Sequence, residues 1–284
     1  MSGTVQVGAW YNFGQKSQRP AVSYHDGNLA VRLASPYPFP ALRRGIIKRA
    51  LAYERRVYAD MRLIFPMSQW LAESFARDFG VPRERIAPVG AGINLPNIAD
   101  TSGRDPTGTD ILFVGKDFIR KGGATLLEAF KKVRKSVPNA TLTIVGPSLV
   151  SLPDGVRCLG AIDKSSTSGI QTLLELYARS ALFVLPSIYE PFGIVLAEAM
   201  AHGLPCVGSR VCAIPEIISH GTTGLLFSAG DSTDLAKQML EILTDAGARQ
   251  AMSAAGRQRQ REMFSWDSVA TRIRDRMTAN GLLA

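Results

Sequence analysis

Between residues 111 and 227, short runs of Val, Ile, Leu and Phe recur, and each is separated from the next by a helical pattern. The runs are ILFVG at 111–115, TLTIVG at 141–146, VRCLG at 156–160, ALFVLPS at 181–187, PCVGS at 205–209 and GLLF at 224–227. The helical patterns lie near 123–137, near 169–180, from about Gly193 and near 214–219. Strands that are apolar on both faces need cover on both faces, so this alternation predicts a doubly wound parallel sheet of the α/β class. From Asp231 onward the pattern is almost wholly helical: STDLAKQMLEIL opens on a Ser/Thr cap, and SWDSVATRIRDRM closes the chain.

The front of the chain carries the same signals more weakly, in VQVGAWY, AVSYHD, RLIFPMS, WLAESFARDFG and RIAPVGAGIN. They predict a second, smaller α/β domain over residues 1–95. In PNIADTSGRDPTGTD, residues 96–110, Pro, Gly, Ser, Thr and Asp cluster without apolar periodicity, so 96–109 reads as a linker and 110–284 as the larger domain.

Composition removes several classes. With 46% hydrophobic and 20% charged residues over 284, the chain is neither disordered nor fibrous. No apolar run approaches the roughly 18 residues of a membrane-spanning helix, and a cytosolic location is expected. Cys158, Cys206 and Cys212 are odd in number and lack C-x-x-C spacing, which argues against a disulfide framework or a zinc site. They are expected as small core residues. The net charge of +9 is concentrated at the front, where residues 1–100 hold 13 Lys/Arg against 7 Asp/Glu. Arg43, Arg44, Lys48, Arg49, Arg55 and Arg56 fall on one predicted helix, interleaved with Ile46, Ile47, Leu51, Ala52 and Tyr53. The ordinary reading is a solvated helix face; the alternative is peripheral contact with an anionic membrane surface. A nucleic-acid role has only the basic pI behind it and lacks a recognition motif, so no nucleic-acid partner is expected.

Two loops carry the chemistry. In open α/β sheets ligands bind beyond the carboxyl ends of strands, where helix N-termini aim free N–H groups at anions. The sequence EPFGIVLAEAM follows ALFVLPS at such a place. Gly193 permits close backbone approach, and the amides of Ile194 and Val195 are placed to hold a diphosphate. Glu198 shares a helix face with them, and a carboxylate among Val195, Leu196, Ala197 and Met200 needs a partner, for which a ribose diol is suited. Glu190, in the loop, would face the part of the ligand beyond the phosphates. The second loop, FVGKDFIRKGG, sets Lys116 and Lys121 before a Gly-Gly helix start, an arrangement suited to a departing diphosphate. Taken singly, each of these charges has an ordinary reading as a solvated side chain.

Together, strand–GK….KGG–helix followed by strand–EPFGIVLAEA–helix resembles the C-terminal, donor-binding domain of the retaining GT-B glycosyltransferases of the family 4 type, glycosyl transferases group 1. The likeness includes AHGLPCVGS, AIPEIISHGTTGLLF and the closing Trp266 helix. It implies a GT-B-like architecture of two Rossmann-like domains. It also implies a hexosyltransferase-type enzyme that moves a sugar, with retention, from a UDP- or GDP-sugar to a glycan, lipid or small-molecule acceptor. In that reading Lys116 and Lys121 hold the diphosphate, Glu198 the ribose and Glu190 the transferred sugar. Gly115, Gly193, Ile194 and Val195 line the donor side, and neither a metal nor a further cofactor is implied. The family commonly has Arg where Lys116 stands, a change that keeps the charge and loses the bidentate fork.

VSYHDGN resembles the family's strand-end histidine motif, which implies that His25 faces the donor sugar. SQWLAESFARDFGVPRERIAPVGAGIN resembles its run into the interdomain hinge, with Asn94 where Asp is common. The family's first strands and Gly-rich acceptor loop have no counterpart before VSYHD, so the N-terminal domain reads as truncated. Its exposed sheet edge is expected to invite a partner chain or a second copy. This departure leaves open the alternative of a non-catalytic or partner-dependent sugar-nucleotide binding protein.

Overall fold

The computed structural model describes residues 4–12, 20–37, 43–95, 98–101, 103–105, 107–149 and 151–283. Along the chain run β1 (Thr4–Val7), β2 (Ala21–His25), α1 (Leu29–Leu33), α2 (Arg44–Asp60), β3 (Leu63–Pro66) and α3 (Gln69–Phe79). There follow β4 (Asp110–Val114), α4 (Gly123–Ser136), β5 (Thr141–Val145), β6 (Val156–Cys158), α5 (Thr167–Arg179), β7 (Leu182–Leu185) and α6 (Ile194–Ala201). Then come β8 (Cys206–Ser209), α7 (Ile214–Ile217), β9 (Gly224–Phe227), α8 (Ser232–Thr244), α9 (Ala246–Met263) and α10 (Trp266–Ala279). The chain divides into two units, one formed by Met1–Gly92 with Ser265–Ala284 and the other by Ile93–Phe264.

The larger unit holds a parallel sheet in the order β6-β5-β4-β7-β8-β9. The chain works outward from β4 to β6 and then returns to the centre to build β7 to β9 on the other side. The switch point therefore lies between the carboxyl ends of β4 and β7, where α/β sheets leave a crevice. The apolar runs behave as predicted: Ile111, Phe113, Leu142, Ile144, Leu182 and Val184 are buried. Leu126, Ala129, Phe130 and Val133 of α4 recur at i, i+3, i+4 and i+7 and close over the same core. Only β6, at the sheet edge, lacks a buried residue.

The smaller unit is a parallel sheet in the order β1-β2-β3. Ser68 caps α3 by accepting a hydrogen bond from the Leu71 amide, and Gly80 ends that helix in the left-handed conformation. One face of the sheet packs on α2 and α3 through Val57, Tyr58, Leu71 and Phe75. The other face buries Val22, Tyr24, Leu63 and Phe65 against Val269 and Met277 of α10.

That last contact corrects the expected boundary. Residues 265–284, assigned from the sequence to the larger domain, belong to the smaller unit, because the apolar side of α10 fills the second face of the β1-β2-β3 sheet. The described residues of the predicted linker form no helix or strand, and Pro96, Asn97, Ser102 and Pro106 in it lie outside the described residues. It is nevertheless fastened by Arg104. The Arg104 guanidinium donates to the carbonyls of Tyr177, Ala178, His202 and Gly203, each at 2.8 Å, and so satisfies the ends of both α5 and α6.

Candidate functional site

The site forms where the topology reverses. The loop after β4 and the loop after β7 are joined by backbone and side chain alike. The Ile188 amide donates to the Arg120 carbonyl at 2.9 Å, and Arg120 Nη1 donates to the Tyr189 carbonyl at 2.7 Å. Gly122, at φ 71°, precedes α4, and an added Cβ there would overlap the Pro186 carbonyl of the other loop. Only glycine tolerates both the left-handed backbone and that approach. A Cβ at Gly115 would overlap the Lys121 side chain, so this glycine gives the lysine its path across the loop. The two Gly-Lys signals of the sequence thus have a packing reason as well as a chemical one.

Lys121 and Glu190 meet here. Lys121 Nζ lies 2.8 Å from Glu190 Oε2, with both groups mostly buried. The same oxygen accepts from Ser187 Oγ at 3.1 Å and lies 3.5 Å from Arg120 Nη1. All these contacts fall on Oε2, and none falls on Oε1 among the described residues. Breaking such a buried pair leaves an uncompensated charge, at a cost of several kcal/mol by rough estimate. Lys121, expected from the sequence as an open cation for a diphosphate, is instead partnered in this structure.

Glu198 sits in the second turn of α6 and is 1% exposed. Both its oxygens lie 3.2 Å from Lys164 Nζ, and the Tyr177 hydroxyl donates to Oε2 at 3.3 Å. Glu198 is not a solvated helix carboxylate; the group is buried and paired. Behind it, the Tyr177 ring stacks on His202 at 4.7 Å, and His202 Nδ1 lies 2.7 Å from the Glu198 carbonyl. Burial and the neighbouring Glu198 raise the Tyr177 hydroxyl well above its ordinary pKa, so it remains a donor to the carboxylate. Burial lowers the pKa of His202.

A cavity of about 740 Å³ opens over these groups, lined by Gly115, Lys116, Arg120, Lys121, Lys164 and Val195 among others. Both lysine partners of the glutamates face it, so Glu190 and Glu198 reach the same space through Lys121 and Lys164. Gly193, also left-handed at φ 91°, precedes α6, whose first residues Ile194 and Val195 bring their amides to this end of the sheet. Among the described residues no group of three or more His, Cys, Asp and Glu side chains is placed to hold a metal ion.

The structure therefore brings together Gly115, Lys116, Lys121, Glu190, Gly193, Ile194, Val195 and Glu198. His25 belongs to the smaller unit, where it is 2% exposed. Its ring packs on Tyr58 at 5.3 Å and Phe75 at 5.1 Å, and its Nε2 has no hydrogen-bond partner among the described residues. The side chain expected to face a sugar is enclosed by the aromatic residues of α2 and α3. Burial lowers its pKa to about 4, so the ring is neutral at neutral pH.

Four contributors escaped the sequence reading. Arg120 lay inside the quoted FVGKDFIRKGG loop but was passed over between two lysines. Lys164, Ser187 and Tyr177 carried no local signal, because their roles depend on which acid each one meets. The cysteines also divide: Cys206 is buried as expected, whereas Cys158 and Cys212 are only partly so. Cys212, at φ 46°, receives a hydrogen bond from the Glu190 amide, and burial raises its pKa.

Residues 96–259, more than half of the chain, match the family described as glycosyl transferases group 1. Glycogen synthase of Mycobacterium tuberculosis (strain CDC 1551 / Oshkosh) is 33% identical over 199 residues, which are 68% of this chain and 48% of that protein. The chain spans about half the length of the curated relatives it matches. Among solved structures, sucrose-phosphate synthase from Thermosynechococcus elongatus aligns with a TM-score of 0.74 at 22% identity, over 93% of this chain and 68% of that one. HepE of Anabaena, in complex with UDP, aligns with a TM-score of 0.73 at 19% identity, over 92% and 73%. These likenesses show a GT-B-like fold with Rossmann-like α/β architecture. The family match and the identity to glycogen synthase together establish that this chain belongs to the glycosyl transferases group 1 family.

Proposed function

We propose that the chain is a glycosyltransferase that binds a nucleoside-diphosphate sugar in the cavity between the β4 and β7 loops and transfers the sugar with retention. The observation that carries this reading is the convergence on one space of two lysine-carboxylate pairs, Lys121–Glu190 and Lys164–Glu198. A space bordered by cations and helix N-termini suits a diphosphate, and buried carboxylates beside it suit sugar hydroxyls. The UDP bound by HepE supports a uridine donor, with GDP as the other candidate base.

In this reading the diphosphate enters beside Lys116 and draws Lys121 Nζ toward its oxygens. Glu190, held by Ser187 and Arg120 on Oε2, then presents Oε1 to a hydroxyl of the donor sugar. Glu198 takes the ribose diol once Lys164, whose side chain is 42% exposed, swings away. The anomeric C–O bond breaks through an oxocarbenium-like transition state, and negative charge grows on the departing phosphate. Lys121, Lys116 and the amides at the start of α6 stabilise that charge, and they do so more strongly in the transition state than in the bound donor. The acceptor hydroxyl attacks from the same face and passes its proton to the leaving phosphate oxygen.

Calorimetry with UDP and GDP tests the binding step, and release of nucleotide from UDP- and GDP-sugars tests the transfer. Binding of one nucleotide with sugar turnover is the expected result. Absence of heat with either nucleotide at millimolar concentration overturns the reading, and binding without turnover reassigns the chain to sugar-nucleotide binding.

A further inference from the structure

The smaller unit carries a surface that its own fold does not use. Of the 17 residues of α2, only Val57 and Tyr58, near its end, are buried. The preceding turns carry Arg44, Lys48, Arg49, Arg55 and Arg56, with Glu54 as the one acid. Glu54 accepts from the Leu29 amide at 3.0 Å, so it is engaged with α1. Among the described residues no carboxylate forms an ion pair with Arg44, Lys48, Arg49 or Arg56. On one side a groove of about 360 Å³ runs along Arg44, Ile47, Lys48, Leu51 and Arg55, an apolar strip edged by cations.

The neighbouring side is aromatic. Tyr53 stands four residues after Arg49 and three before Arg56, so the three share a face. The Tyr53 hydroxyl donates to the Trp10 carbonyl at 3.4 Å, which sets the loop after β1 beside that face. Trp10 is 86% exposed, Tyr11 69% and Ile46 42%. Exposed Trp and Tyr beside unpaired arginines and aliphatic side chains have the composition of a surface that rests at a lipid-water boundary.

From this juxtaposition we infer that α2 and the loop around Trp10 dock on the anionic surface of a lipid bilayer. The arginines meet lipid phosphates, the rings lie at the headgroup level, and Ile46, Ile47 and Leu51 reach the edge of the acyl region. Charge complementarity draws the face to the membrane, and the apolar side chains distinguish a bilayer from a polynucleotide. A polynucleotide would engage the charges and rings but gain nothing from the aliphatic residues.

Sedimentation of the full chain with phosphatidylcholine vesicles, with and without phosphatidylglycerol, tests the inference. The expected result is binding only to the mixed vesicles, weakened by salt, with a blue shift of tryptophan emission. Arg49→Gln with Arg56→Gln lowers the partition coefficient about 25-fold, at about fivefold per charge. Trp10→Ser lowers it severalfold and removes the blue shift. Unchanged unfolding midpoints show that the variants remain folded. Failure to bind mixed vesicles overturns the inference. So does binding that Trp10→Ser leaves unaltered, or tighter binding to polyuridylate than to the vesicles, which would reassign the face to nucleic acid.

Discussion

The two units place polar side chains at the same kind of position, the carboxyl end of a buried parallel strand, and treat them in opposite ways. In the larger unit the loops after β4 and β7 deliver Lys121 and Glu190, which pair at 2.8 Å beside a cavity. In the smaller unit β2 delivers His25, which is neutral and enclosed by Tyr58 and Phe75. A strand end therefore does not make a site by itself. A site also needs partners that compensate the buried charge and space for a ligand, and both come from the loop that follows a second strand.

The largest expected effect tests the paired side of this contrast. Lys121→Ala removes the cation that holds Glu190 and the proposed leaving group. Nucleotide release from the donor should then fall by roughly 10²–10³-fold in kcat/KM. A loss below tenfold would mean that the buried pair is structural, like the residues around His25.

The neutral side is tested by acid. His25 titrates at about 4 in the folded chain against an ordinary 6.5. Between those values the unfolded chain takes up a proton that the folded ring refuses, so stability is full above about pH 6.5 and falls as pH drops toward 4. The loss is about 1.4 kcal/mol per pH unit, on the order of 3 kcal/mol across the window. Urea unfolding should show this fall, and His25→Phe should remove most of it; the slope that remains reflects His202, which is shifted in the same direction. An unchanged slope in His25→Phe would show that the ring is not the group that resists protonation.

Glu198→Gln keeps the shape of the second acid but releases Lys164. Donor affinity measured by calorimetry should fall about tenfold, the worth of one charge-assisted hydrogen bond. The smallest effect belongs to an ion pair outside both strand ends. Glu73 and Arg83 meet at 2.6 Å on the exposed surface of the smaller unit, and Glu73→Gln should leave the thermal midpoint unchanged within error. A clear fall there would show that distance from a strand end does not separate important charges from idle ones.

Much of the larger unit was legible before the structure, because its signals are local and periodic. ILFVG, TLTIVG and ALFVLPS read as doubly covered strands and became β4, β5 and β7. Glu198 was legible for a related reason, since a carboxylate within an apolar helix advertises a partner. The partner's identity was not legible, because Lys164 lies 34 residues away and has no local pattern. Helix α10 was assigned to the wrong unit for the same reason: its amphipathic pattern shows that it packs on something, not on which sheet. The enclosure of His25 was not legible, because a strand-end histidine looks the same whether its loop opens to a ligand or its ring is closed over by Tyr58 and Phe75.

By itself the sequence determined the α/β class, the strand-helix rhythm of the larger unit and the residue types gathered at its two ligand loops. These follow from hydrophobic periodicity, glycine placement and the cost of a buried charge, all of which act within a few residues of chain. Tertiary structure alone decided that Lys121 is held by Glu190, that Lys164 covers Glu198, that Arg104 ties α5 to α6 and that α10 completes the smaller sheet. Each of these joins residues far apart in the chain, and the energy that selects one partner over another appears only when folding excludes water from both.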